Sequence, residues 1–437
     1  MALPLEGVRV IDFSRVLAGP HCAKHLLDLG AEVIKIEPPR GDLSRLAFPR
    51  SGDISGYYAQ QNAGKRNISI DLNVLEARDV ALKLCDTADI IVENFRPGVL
   101  ESFGLGYASV AARNPSVVYV SISGYGQRGS WRARMAYGPA VQAEVGFTRN
   151  TLRQFGVEGA DRRTDALTHG DVYAGLHGTI AALAALQHRR LTGRGRYIDV
   201  AMAAVLTSMN ERVHYDLSGI DLGAEEPILG AAGSEFFTSP EGFEFVVPFS
   251  LLSSMTFPLY LAAMRRPDLA DDPRFVTPEL RKENLKALHT IVQNWIWTFE
   301  SMDALDAQFD EAKVATGRLR DINEFHKTDW AKDWVTTREV DDRHGGTMMI
   351  PAPPWHFSGH DDVLAPQTPA HQGKHNEEML KELGYTDDQV RGLVQSGALI
   401  EPAREASNGG LMAIDGLPTL ADLRAAGASA YSQGEIS

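Results

Sequence analysis

Asp171 is the residue whose type and place most suggest chemistry. It stands in "THGDVYAGLHGTIAALAALQHRR" (168–190), a stretch that reads as one long helix, with Gly170 before it and Gly175 and Gly178 after it. An aspartate at a helix mouth most often serves as an N-cap. The other reading is a carboxylate nucleophile. A helix N-terminus favours negative charge and keeps the acid ionised. Flanking glycines would leave room for a bulky substrate, and carboxylates act as covalent nucleophiles in some enzymes.

Cationic stretches precede this candidate in sequence. "IEPPRGD" (36–42) follows a predicted strand, so Arg40 could meet a phosphate. "NAGKR" (62–66) adds Lys65 and Arg66, and "ENFRPG" (93–98) turns at another strand end. The carboxyl ends of parallel strands are where such folds bind ligands. "SGYGQRGSWRARMAYGP" (123–139) is a long loop rich in glycine and arginine, and its aromatics argue against disorder. His21 and His25 are spaced to share a helix face, but no third ligand presents itself, so no metal site is expected. His169 reads as structural.

These residues need elements to hold them. Residues 7–37 form a βαβ unit, with a strand at Val8–Phe13, Pro20 at a first helical turn, Gly30 as the helix stop and a second strand at Ala31–Ile36. Further strands are predicted at 66–72, 88–95 and 116–124. Their alternation with helices implies a parallel, doubly wound, Rossmann-like α/β domain. The first turn, "FSRVLAGPH", lacks the glycine fingerprint for NAD. A short strand and another helix follow the long helix. Residues 222–245 are rich in Gly, Pro and Ala and mark a linker, followed by a smaller mixed α/β domain. Residues 340–370 read as a return connection. Two short helices follow within 376–399, the second capped by Thr386. The expected division is 1–222, 223–335 and 336–437, with the first and last parts forming the large domain.

The chain has 437 residues, a net charge of −14 and two cysteines. No basic face suits nucleic acid, and no apolar run suits a membrane span. The cysteine usage and the N-terminal sequence point to a reducing, cytoplasmic setting. An anionic substrate would have to meet local Arg and Lys clusters.

In order along the chain stand "LAGP", "GAEVIKIE", "NAGKRNISIDL", "VENFRPGVLESFGLGY", "SISGYGQRG", "GDVYAG" and "LTGRGRYIDVAM". With this ordered set the chain resembles the class III CoA-transferases. The resemblance implies a fold and a mechanism. The fold is an interlocked-ring homodimer of a Rossmann-like large domain and a small domain. In the mechanism, the aspartate of the "GD…G" motif, here Asp171, attacks an acyl-CoA thioester. An aspartyl anhydride forms, then an aspartyl-CoA thioester, and CoA passes to a small carboxylic acid. CoA and acyl-CoA are substrates, and no permanently bound cofactor is implied.

By the same resemblance, CoA contacts fall on Val16, Ile70, Asn94, Phe95 and Phe103, with Arg40 at the phosphates. Leu17 and Tyr137 lie by the acyl group, and Gly230 belongs to a mobile loop at 229–234. Formyl-CoA transferases carry glutamine at the position of Leu17 and a basic residue near Ser102, so formate and oxalate are not expected substrates. Two alternatives stand beside this reading. An α-methylacyl-CoA racemase needs a histidine base where this chain has Tyr137, and a non-catalytic acyl-CoA binder would not need "GDVYAG".

Overall fold

A computed structural model describes residues 3–52, 54–149, 167–211, 213–219, 234–358 and 367–400. Gly230 and the tail beyond about residue 403 lie outside the described residues. The chain divides into two compact units, residues 1–210 with 334–437 and residues 211–333.

The larger unit is built on a six-stranded parallel sheet. Its strands are β1 (Arg9–Asp12), β2 (Glu32–Glu37), β3 (Arg66–Ser69), β4 (Ile90–Glu93), β5 (Val118–Ser123) and β6 (Tyr197–Ala201). They lie in the order β3-β2-β1-β4-β5-β6. This is the doubly wound order in which the winding reverses between β1 and β4, and a crevice opens there beyond the strands' carboxyl ends. Strands covered on both faces should be almost wholly apolar. Here Val10, Ile11, Ile34, Ile91 and Val120 obey that rule, yet Asp12, Lys35, Glu37 and Glu93 are also buried. The exceptions collect at the carboxyl ends.

Four helices position the crevice: α1 (Ala18–Asp28), α2 (Gly56–Asn62), α3 (Gly138–Glu144) and α4 (His169–Thr192). The long helix ends at Gly193, which takes a left-handed φ of 71°, the conformation a glycine C-terminal stop adopts at least cost. Its glycines do not provide substrate room. A Cβ on Gly175 would meet the Ala18 carbonyl oxygen at 2.7 Å, and one on Gly178 would meet Ile122 Cδ1 at 3.1 Å and Cys22 Sγ at 3.2 Å. They let α4 lie close against α1 and the sheet.

Within 340–370, read as a return connection, stands half of an antiparallel hairpin, β-strands Thr337–Asp341 and Thr347–Pro351. Its alternation is short: Arg338 and Val340 point inward while Glu339 and Asp341 are exposed. The chain then returns to the open edge of β3. Asn67 accepts from the His375 and Gly373 N–H groups through its carbonyl and side-chain oxygens (3.0 and 2.6 Å), and the Ser69 N–H donates to Asn376 Oδ1 (2.8 Å). Helices Asn376–Glu382 and Asp387–Gln395 follow, the second with Thr386 and Gln389 closing a capping box.

The smaller unit has a three-stranded antiparallel sheet of strands Glu235–Thr238, Glu244–Val247 and Gly317–Arg318. Phe237, Phe245, Tyr260, Leu288, Val292 and Phe309 form its core with the surrounding helices.

Candidate active site

The turn after β1 is fixed from three sides. The Ser14 N–H donates to Asp12 Oδ1 (2.9 Å). The Arg15 N–H donates to Asn94 Oδ1, and Asn94 Nδ2 donates back to the Arg15 carbonyl, both at 2.8 Å. Asn94 therefore ties the loop after β1 to the loop after β4, across the reversal point of the sheet. The Val16 N–H donates to both oxygens of Asp42 (3.1 and 3.2 Å), in the loop after β2. Val16 sits at a φ of 67°. A β-branched residue pays about 1–3 kcal/mol for that conformation and keeps it only where its surroundings impose it. Leu17 beside it is buried.

Asp42 is suited to the task. Burial favours its neutral form, but Lys35 at 3.0 Å and hydrogen bonds from Ser44 outweigh this and bring its pKa to about 2. Lys65 pairs with Asp12 (2.8 Å), and both side chains are fully buried. Burial pushes the Asp12 carboxyl up, but Lys65 and Lys35 hold it below its ordinary range. Arg66 pairs with Glu32, Glu378 and Glu382. The expected cationic set thus loses two members: Lys65 and Arg66 support the framework rather than face a ligand. Arg40 remains an exposed cation in the loop after β2.

Asp171 is the third residue of α4, and Thr168 holds the cap position without a side-chain capping bond. The carboxylate is mostly buried. Burial raises its pKa to about 6, against hydrogen bonds from the main-chain N–H groups of Gly138 and of Asp171 itself. Gly138 opens α3, directly after Tyr137, whose side chain is exposed. Gln142 on α3 accepts from the Gly170 N–H (3.3 Å), which seats α3 against the start of α4. The loop leading to Tyr137 is ordered by its own aromatics. Tyr125 and Trp131 meet edge to face at 5.2 Å, and Arg134 lies 4.6 Å over Trp131 while pairing with Glu144.

Tyr57, on α2, is a member that sequence reading missed. Burial raises its hydroxyl pKa to about 12, and the charges of Asp171 and Asp42 add to this, while a hydrogen bond with the Thr168 side chain acts the other way. Tyr57 therefore feels both Asp171 and the carboxylate that holds Val16. One turn along α2, Gln61 Oε1 meets His21 Nδ1 (3.0 Å), and His21 meets His25 (3.1 Å). Burial lowers the pKa of both imidazoles, that of His25 to about 3. Among the described residues no group of potential ligands could hold a metal ion.

Of the remaining expected contacts, Ile70 is fully buried in the apolar cluster against which Phe95 and Phe103 pack. Its side chain belongs to the core. Phe95 is held by its N–H donating to Glu93 Oε2 (2.8 Å). Burial raises the Glu93 carboxyl pKa to about 7.

The site thus joins the reversal point of the sheet to a carboxylate at a helix start, approached by main-chain N–H groups. The profile of CoA-transferase family III spans residues 5–376. The chain belongs to this family. It is 32% identical to a succinyl-CoA–D-citramalate CoA-transferase of Chloroflexus aurantiacus, over 74% of this chain and 80% of that one. It is 28% identical to a formyl-CoA:oxalate CoA-transferase of Streptomyces coelicolor, over 91% of this chain and all of that one. Among solved structures it resembles a CAIB/BAIF family protein from Brucella suis. The TM-score is 0.70 and the identity 26%, covering 88% of this chain and 100% of that one. Membership makes this chain an enzyme of the CoA-transferase class with CoA thioesters as substrates.

Proposed function

We propose that the chain moves CoA from an acyl-CoA donor to a small carboxylic acid, with Asp171 as covalent nucleophile. An Asp171 oxygen attacks the thioester carbonyl; the C–S bond breaks, leaving an aspartyl anhydride and CoA thiolate. The thiolate then attacks the aspartyl carbonyl and the donor acid leaves as its carboxylate, which gives an aspartyl-CoA thioester. The acceptor carboxylate attacks that thioester, forming a second anhydride, and the released thiolate takes the acceptor's acyl group. Asp171 is regenerated. The activated acyl energy is kept throughout, so water must be held away.

The observation that carries this reading is the Asp171 carboxylate itself. It is desolvated, with hydrogen bonds from the Gly138 and Asp171 main-chain N–H groups. A poorly solvated carboxylate is a better nucleophile than an ion-paired one, and N–H groups there can also steady an oxyanion. The resemblance supports CoA contacts from Val16, Asn94, Phe95, Phe103 and Arg40, and a working unit that is a cytoplasmic homodimer. Leu17 offers no hydrogen bond to a small polar acyl group, so a carbon-chain acid is the proposed partner rather than formate or oxalate.

The test is mass spectrometry of the protein incubated with a succinyl-CoA or butyryl-CoA donor and no acceptor. A CoA adduct mapped to Asp171 is expected. Turnover without any adduct, or exchange of the α-proton of a 2-methylacyl-CoA in D₂O without an acceptor acid, would overturn the proposal.

A further inference from the structure

A second cavity lies in the larger unit, away from Asp171. It has a volume of about 260 Å³, and its walls include Leu3, Leu27, Ala63, Gln367 and Arg338. Arg338 lies on the inward face of the hairpin strand Thr337–Asp341, and its side chain is only 7% exposed. Its Nε is buried and makes no hydrogen bond. Its Nη2 stands 3.5 Å from Asp28 Oδ1, an oxygen that itself accepts no hydrogen bond. The other Asp28 oxygen is taken by Lys24.

Lys24, Asp28 and Arg338 are all buried, so the group holds two cations and one carboxylate. Glu6 also borders the cavity, but it is exposed. A buried charge without a counter-charge is costly, and a buried N–H without an acceptor adds to that cost. A guanidinium has the fork geometry that fits a carboxylate.

We propose that this cavity is a binding site for a small monocarboxylate with a short apolar chain. The carboxylate pairs with the guanidinium of Arg338, and the chain lies against Leu3, Leu27 and Ala63. The volume falls below the ~300–1,000 Å³ of sites for drug-sized ligands, which limits the occupant to a few carbon atoms. A phosphate would meet the same cation but leave the apolar wall unused. The site is independent of the transfer reading, because none of its residues belongs to the Asp171 crevice.

The test is isothermal titration of the full-length protein with butyrate and, separately, with inorganic phosphate. Methyl NMR on leucine-labelled protein is run alongside. Saturable butyrate binding is expected, with shifts at the Leu3 and Leu27 methyls and at least tenfold weaker phosphate binding. Arg338→Met should lose one butyrate site while keeping the wild-type circular dichroism. Arg338→Lys should weaken that site if the methionine variant does not fold. Equal butyrate stoichiometry in folded wild type and Arg338→Met would overturn the proposal. So would saturable binding that leaves the Leu3 and Leu27 methyls unmoved. A third overturning result is no butyrate binding together with self-association lost in Arg338→Met, which would give the pocket to a carboxylate from a second copy of the chain.

Discussion

Gly138 lies so close to Asp171 that any side chain there would displace the carboxylate: a Cβ on Gly138 would lie 2.2 Å from Asp171 Oδ2. The same residue donates its N–H to that carboxylate. Gly138→Ala should push the carboxylate out of line and lower kcat by at least tenfold, with circular dichroism and melting little changed. A full-rate alanine variant would separate Gly138 from the chemistry. One ångström of misplacement is enough to cost that much in a preorganised site.

Activity should follow the ionisation of Asp171. Its pKa is raised to about 6, and only the carboxylate attacks, so kcat/KM should be flat above about pH 7 and fall tenfold per pH unit well below 6. Glu93, with its pKa near 7, sits behind the loop rather than at the reacting atoms. Glu93→Gln should therefore keep the acid limb near 6. A limb that disappears in Glu93→Gln would move the titration away from Asp171.

Asp171→Asn should abolish transfer yet stabilise the fold. A raised carboxyl pKa means that the folded state holds the proton more tightly than the unfolded chain. Wild-type stability therefore falls as pH rises from about 4 to 6, and the deficit is full above 6. Asparagine removes the buried charge, so the variant should gain on the order of 1–3 kcal/mol at pH 7.5 and nothing near pH 3.5. Partial exposure favours the low end. Urea melts at the two pH values measure this; an equal difference at both would contradict it.

Lys65 and Arg40, both cations near strand ends, should fail in different ways. Lys65→Met leaves Asp12 buried without its partner and should cost about 3–5 kcal/mol, read by urea melts, with little change in the KM of the surviving folded fraction. Arg40→Ala should raise the KM for acyl-CoA severalfold and leave stability unchanged. Dephospho-CoA thioesters would show whether a phosphate is what Arg40 meets, since the alanine effect should shrink with them.

The main elements were legible because they obey local rules. The apolar runs at Val8–Phe13 and Ala31–Ile36 coincide with β1 and β2, and the expected helix from Thr168 coincides with α4 within a turn. Thr386 is the cap that its neighbours suggested. What escaped depends on contacts between distant residues. Lys65 looks like surface charge until Asp12, far along the chain, is placed beside it. Gly175 looks like open space until Ala18 is packed against it. Tyr57 carries no local motif, and joins the site only because α2 faces Thr168. The hairpin at Thr337–Pro351 was hidden because the prolines and glycines spread over 340–370 made that stretch read as a connection, and its strands are only five residues long.

The edge strand Arg66–Ser69 also bears on biosynthesis. Its hydrogen-bond partner Asn376 lies 307 residues later in the chain. At ordinary elongation rates of 5–20 residues per second, the ribosome releases the strand roughly 15–60 s before its cover exists. For that interval the nascent chain carries an open sheet edge, the feature that most readily recruits a wrong partner. Crowded polysomes should therefore be where this chain aggregates, and a chain cut after the small unit, which never gains that cover, should aggregate rather than become a finished enzyme.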